Sequence, residues 1–139
     1  MRLKAMGAAI TLLATSGMAA PTPAPVTGRW LTQDKAALIA IAPCGASLCG
    51  KIVRVLKAPK GAPTTDANNP EPGLRARPLV GIDILSGFAA AGDEWKGRIY
   101  DPKSGKSYRS VLRREGTGAL SVKGCIAFLC KTQRWTAAR

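Results

Sequence analysis

The sequence predicts an all-β chain closed as an eight-stranded antiparallel up-and-down barrel, with one long loop between its third and fourth strands. Three observations carry this. Short segments of alternating apolar and polar residues recur at regular spacing. Tight turn signals built on Gly, Pro and Asp separate them. Apart from the opening residues, no stretch shows a helical period. Such a pattern specifies a sandwich or a barrel, and eight strands close into a barrel just wide enough for side chains or one small ligand.

The chain has 139 residues, enough for one domain with a real core. Its opening stands apart. Arg2 and Lys4 make a basic start, residues 5–14 are mostly apolar, and Gly17 and Ala19 hold the small-residue positions of a cleavage site. Residues 1–19 therefore read as a secretory signal peptide cut between Ala19 and Ala20, the alternative being an uncleaved amphipathic anchor. No later stretch reaches the roughly 18 apolar residues of a membrane span. An exported product, periplasmic or secreted, is expected. Residues 20–25 read as a flexible proline-rich lead, and residues 26–139 as the barrel domain.

The first strand, 26–32, holds Gly28-Arg29-Trp30 and turns at Gln33-Asp34-Lys35. The second, 36–42, carries Leu38, Ile39 and Ile41, and turns at 43–47 into the third, 48–56. The fourth, 79–88, sets Ile82 and Ile84 on one face and ends in a turn at 89–93. In the fifth, 94–100, Trp95, Gly97 and Ile99 alternate with Lys96, Arg98 and Tyr100. Asp101-Pro102-Lys103-Ser104-Gly105 is a strong turn, because Pro sets φ and Gly accepts positive φ. The sixth strand is 106–114, the seventh 119–124 and the last 129–136. Residues 66–81, DANNPEPGLRARPLVG, form the one long segment that is neither strand nor tight turn. Compact domains rarely keep such a loop without a task, such as a lid or binding loop.

Charge and composition narrow the function. Removing Arg2 and Lys4 takes the net charge from +13 to +11. The remaining basic residues are scattered, only Arg113 and Arg114 adjoin, and no aromatic stacking platform lies beside them. Nucleic acid is therefore not expected as a partner; an anionic envelope surface or a small amphipathic or anionic ligand is. There is no histidine, which excludes His-based acid–base or triad chemistry, and the eight acidic residues show no paired arrangement. A non-enzymatic monomer without cofactor or metal is expected.

The four cysteines occur as Cys44/Cys49 and Cys125/Cys130. In a meander the turns alternate between the two ends. The first pair flanks the second–third turn and the second pair flanks the seventh–eighth turn, at the opposite end. A disulfide needs Cα atoms within about 7 Å, so the local pairs Cys44–Cys49 and Cys125–Cys130 are expected. A four-thiolate zinc site would need all four to converge, and the spacing is not that of a CxxC redox pair.

Gly28-x-Trp30 on the first strand, with Arg134-Trp135 on the last, resembles the calycin or lipocalin pattern. There the first-strand Trp closes the barrel base and a C-terminal basic residue packs across it. That resemblance implies base roles for Gly28, Trp30 and Arg134. More specific residues follow in order: Cys44-Gly45, Leu48-Cys49-Gly50-Lys51-Ile52-Val53, Asp66, Asn69-Pro70, Leu74-Arg75, Arg77-Pro78-Leu79, Ile99-Tyr100-Asp101-Pro102, Ser104-Gly105-Lys106, Tyr108 and Thr132-Gln133-Trp135. Together they resemble the bacterial exported family called domain of unknown function 2147, from about Gly28 to Trp135. The resemblance implies a lipocalin-like barrel without an established role, and Cys125 and Cys130 look like an addition to its pattern. If the first strand leaves a closed base, the long loop sits over the mouth.

Candidate binding residues follow from that placement. Arg75 and Arg77 can capture an anion at the mouth, since guanidinium matches carboxylate or phosphate bidentately. The favoured alternative is that they pin the loop through Asp66, Glu71 or Asp101. Asp66-x-Asn68-Asn69 is oxygen-rich, but with Glu71 as the only further carboxylate nearby it reads as turn chemistry rather than a calcium loop. Tyr100 and Tyr108 either line a pocket or simply pack. Ile82, Ile84, Leu112 and Val122 are expected to line the interior. The ligand-binding candidates are thus Arg75, Arg77, Asp66, Asn69, Tyr100, Tyr108 and Asp101. The leading reading is a barrel holding a small amphipathic or acidic ligand under an arginine-bearing lid. The second is a filled barrel whose basic surface binds envelope anions or another protein.

Overall fold

Eight strands follow one another in chain order: β1 (Gly28–Leu31), β2 (Ala37–Cys44), β3 (Ser47–Val55), β4 (Asp83–Ala91), β5 (Glu94–Asp101), β6 (Lys106–Glu115), β7 (Ala119–Ile126) and β8 (Leu129–Ala137). The computed structural model describes residues 1, 3–5, 7–19 and 21–139. Each strand pairs antiparallel with the next, and β1 closes on β8 through Trp30↔Ala137 and Leu31↔Thr136. This is the expected closed up-and-down barrel. Among the described residues no helix is long and apolar enough to cross a membrane.

The period-2 pattern decides which side chains face inward. On β7, Leu120 and Val122 are buried while Ser121 and Lys123 are only partly covered. The pattern breaks on β4. The sequence ends that strand at Phe88, but the chain continues to Ala91 and turns at Gly92-Asp93. A register shift between Ser86 and Ala89 makes this possible. Gly87 sits there at φ 65°, a conformation that glycine adopts without strain, and Phe88 becomes buried.

One end of the barrel is filled. Trp30, Trp135, Phe88, Leu112 and Leu120 are buried together in the core. The proline-rich lead, expected to be flexible, is laid across this end instead. Pro23 and Val26 are buried. The Ala24 carbonyl accepts from Trp95 Nε1 at 3.0 Å, Pro25 from Arg114 Nη1 at 3.0 Å, and Val26 from Trp30 Nε1 at 2.9 Å. Composition does not reveal the tryptophan and arginine donors that hold this segment. Every strand and every buried side chain among the described residues lies at residue 23 or later. Arg2, Met6 and Ala20, on which parts of the signal-peptide and cleavage expectations rest, lie outside the described residues.

Both disulfides pair as expected. Cys44–Cys49 bridges β2 and β3 beside the filled end, and Cys125–Cys130 bridges β7 and β8 at the opposite end. That opposite end gathers the 32–36 turn, the 102–105 turn, the β7–β8 tip and the long connection of residues 56–82.

Candidate mouth of the barrel

The long connection is anchored by one carboxylate. Asp66 has no exposed surface. The Tyr100 hydroxyl, from β5, donates to its Oδ1 at 2.6 Å. Its Oδ2 accepts from Asn69 Nδ2 at 2.8 Å, Arg77 Nε at 2.9 Å and Arg77 Nη2 at 2.8 Å. The backbone locks the same point, because the Asp66 amide donates to the Arg77 carbonyl and the Asn69 amide to the Asp66 carbonyl. A 3-10 turn over Pro72–Leu74 and an isolated bridge between Thr65 and Pro78 fold the segment on itself.

The electrostatics follow from this geometry. Burial pushes the Asp66 carboxyl up, but hydrogen bonds from Tyr100, Asn69 and Arg77, with the Arg77 charge, outweigh it and hold the group below the usual carboxylate range. Burial, then the bond and charge of Asp66, push the Tyr100 hydroxyl up to about 12. Asp66 thus stays ionised and Tyr100 stays a donor.

A second clamp ties the connection to the β5–β6 turn. Asn68 Nδ2 donates to the Pro102 carbonyl at 3.3 Å and to the Lys103 carbonyl at 3.1 Å. The Asn68 carbonyl lies where any Cβ at position 105 would fall, so only glycine, at φ 70°, fits there. Asp101 caps its own turn, accepting from the Lys103 amide and the Ser104 hydroxyl. Asp34 caps the β1–β2 turn through Thr32 and Ala36, and its Oδ2 lies 3.8 Å from Lys103 Nζ.

Inside these clamps the barrel is open. A cavity of about 1550 Å³, partly open to solvent, lies at this end of the barrel. Its deep part is lined by Ile39, Ile52, Ile84, Ile99, Val122 and Trp135. Tyr100 and Tyr108 line its wall. Lys57, Lys103 and Lys131 stand at its rim with Asp34 and Asp101. Both rim carboxylates are already engaged by their own turns, whereas Lys131 makes no ion pair among the described residues. Among the described residues no three acidic or cysteine side chains cluster as metal ligands.

The family model described as "Uncharacterized protein conserved in bacteria (DUF2147)" matches residues 28–137. The chain belongs to this family. Among solved structures, it is similar to protein HP1028 from the human pathogen Helicobacter pylori, described as belonging to the lipocalin family. The two share 21% identity with a TM-score of 0.72, over 83% of this chain and 84% of that one. A search of curated proteins finds no match. The DUF2147 chain is therefore a lipocalin-like barrel.

The structure divides the predicted site residues of this DUF2147 barrel in two. Tyr100, Tyr108 and Asp101 line the cavity. Asp66, Asn69, Arg75 and Arg77 do not; they form the loop's internal framework. Arg77 is held by Asp66, and Arg75 Nε donates to the Asn69 carbonyl at 2.7 Å. The Asn69 side chain accepts from the Glu71 amide, as in turn chemistry. All four expected interior residues, Ile82, Ile84, Leu112 and Val122, belong to the packed core, and of these Ile84 and Val122 also border the cavity. At the base, Trp30 is buried, but the cation over it is Arg114, 5.2 Å from the ring centroid. Arg134 is exposed on β8, and its Nη1 lies 3.9 Å from Glu115. Its backbone amide donates to the Gln33 side-chain oxygen at 2.7 Å. Sequence reasoning missed the clamp that Asn68 makes to the β5–β6 turn, the rim positions of Lys57 and Lys131, and Arg114. Alternation on β6 carried the signal for Arg114, which shares a face with Leu112.

Proposed function

We propose that the protein is an exported carrier that holds a small amphipathic acid in its barrel, apolar part inward and acid group at the lysine rim. The observation that carries this is the open cavity, apolar at depth and bordered by Lys57, Lys103 and Lys131. Ligand sites are mostly apolar clefts with a few polar groups that set orientation. The filled-barrel alternative does not fit that open volume. The pinned arginines move the acid-binding role from the loop to the lysines. Two disulfides favour an oxidising compartment, in keeping with export.

The test uses the chain from residue 21, titrated with dodecanoate and read by native mass spectrometry. A single adduct is expected, lost in Val122→Trp, which fills the cavity, and weakened in Lys103→Glu/Lys131→Glu. A bare mass at saturating dodecanoate, or an adduct that Val122→Trp keeps, overturns the proposal.

A further inference from the structure

The β7–β8 hairpin ends in an apolar tip that nothing in the barrel covers. Phe128 is 90% exposed, Leu129 69% and Ile126 64%. Soluble domains rarely leave neighbouring large apolar side chains this bare unless a partner covers them. The tip is also braced. Cys125–Cys130 bridges the strands directly below it, and Arg109 on β6 donates to the Ala127 carbonyl. Ala127 holds φ 51°, a conformation that glycine would adopt more easily. The side chains are therefore presented on a stiff two-residue turn rather than a loose loop.

The charge around the tip selects the partner. From Ala119 to Ala137 the hairpin has no acidic residue and carries Lys123, Lys131 and Arg134. Register places Arg109 opposite Cys125 and Lys131 opposite Gly124, immediately below the apolar cap. Exposed apolar residues ringed by cations suit an anionic bilayer surface, where the apolar groups enter the headgroup boundary and the cations meet lipid phosphates. Nucleic acid is a poor fit, because Phe128 is the only aromatic of the tip and has no stacking companion.

We propose that the Ile126–Leu129 tip docks the protein on anionic phospholipid membranes. Ile126, Leu129 and Lys131 also border the cavity, so docking turns the mouth toward the lipid. Val55, Leu56 and Val80 are exposed large apolar residues at the same end and widen the contact face. Docking stands on the tip alone and does not require that the cavity hold a ligand.

The test is sedimentation of the chain from residue 21 with vesicles of phosphatidylcholine alone or mixed with phosphatidylglycerol. The wild type is expected to bind the mixed vesicles and bind phosphatidylcholine alone far more weakly. Ile126→Ser/Phe128→Ser/Leu129→Ser should lower partitioning by about tenfold or more with an unchanged far-ultraviolet circular dichroism spectrum. In a second reading, Phe128→Trp should gain fluorescence quenching by brominated phospholipid. Val122→Trp should bind vesicles as the wild type does, which separates this proposal from the carrier reading. Absence of wild-type binding to mixed vesicles, equal binding by the serine variant, or no quenching at position 128 overturns it. The last two results would mean that scattered surface cations, and not the tip, make the contact.

Discussion

Replacing Asp66 tests whether one carboxylate organises the mouth. Asp66→Ala removes the acceptor for Tyr100, Asn69 and Arg77 at once. The three donors suffer unequally. The Arg77 side chain is 37% exposed and can turn to water, so its loss is small. Asn69 is 6% exposed, and the Tyr100 hydroxyl faces inward; each stranded donor costs about 1–3 kcal/mol. Part is recovered because the buried charge itself disappears. A net loss of about 2–4 kcal/mol is expected. Urea unfolding followed by tryptophan fluorescence measures it, and trypsin cleavage after Arg75 reports whether the loop opens. The pH dependence has a fixed sign. The folded carboxyl sits below its ordinary value, so its stabilisation is complete above the unfolded value and is lost as pH falls through the folded one. The gap between wild type and Asp66→Ala should therefore narrow below about pH 4. A variant within about 0.5 kcal/mol of wild type, with no faster cleavage, refutes the anchor, since that is the range of inert surface changes. A gap that stays constant into acid refutes its ionic origin.

Three further outcomes follow from the same geometry. Gly105→Ala drives a Cβ into the Asn68 carbonyl oxygen at a positive φ, and should cost about 2–3 kcal/mol in thermal unfolding and speed cleavage after Arg75. Titration of tyrosinate absorbance should show Tyr100 still protonated well above the ordinary tyrosine range and ionising only near pH 12; the stability that its protonated form provides is full below the unfolded value and is lost as pH rises through the folded one. Cys125→Ser/Cys130→Ser should leave the barrel folded and cost about 2 kcal/mol in urea unfolding, because the loop it closes is short and β7 and β8 pair along their whole length.

The barrel was legible because its signals are local. Alternation such as Leu120/Val122 against Ser121/Lys123 identifies a strand without knowledge of its neighbours, and turn chemistry such as Asp101–Gly105 identifies its end. The disulfides were legible one level up, since strand count alone puts the two cysteine pairs at opposite ends. What failed needed three-dimensional neighbours. Proline content describes residues 21–25 but not the Trp95 and Arg114 donors that hold them. Arg134 and Arg114 both carry a cation to the base end, and only the register of β6 and β8 decides which one covers Trp30.

The arginines of the long loop make the functional consequence clear. Sequence reading left them two roles, capturing a ligand or fixing the loop, and a gate would need them free. Arg77 is committed to a buried carboxylate and Arg75 to a backbone carbonyl, while Asn68 fastens the same segment to the β5–β6 turn. Opening residues 64–79 as a lid would carry that internal framework along, but would break the Tyr100–Asp66 bond and the Asn68 bonds to the Pro102 and Lys103 carbonyls, leaving the Tyr100 hydroxyl without its acceptor. Lys57 is held to the β1–β2 turn through the Ala36 and Asp34 carbonyls, whereas residues 58–63 carry far fewer ties, with one backbone bond from the Ala62 amide to the Pro59 carbonyl and mostly exposed side chains. The clamped part of the loop is therefore a fixed rim, and freedom at the mouth is left to residues 58–63.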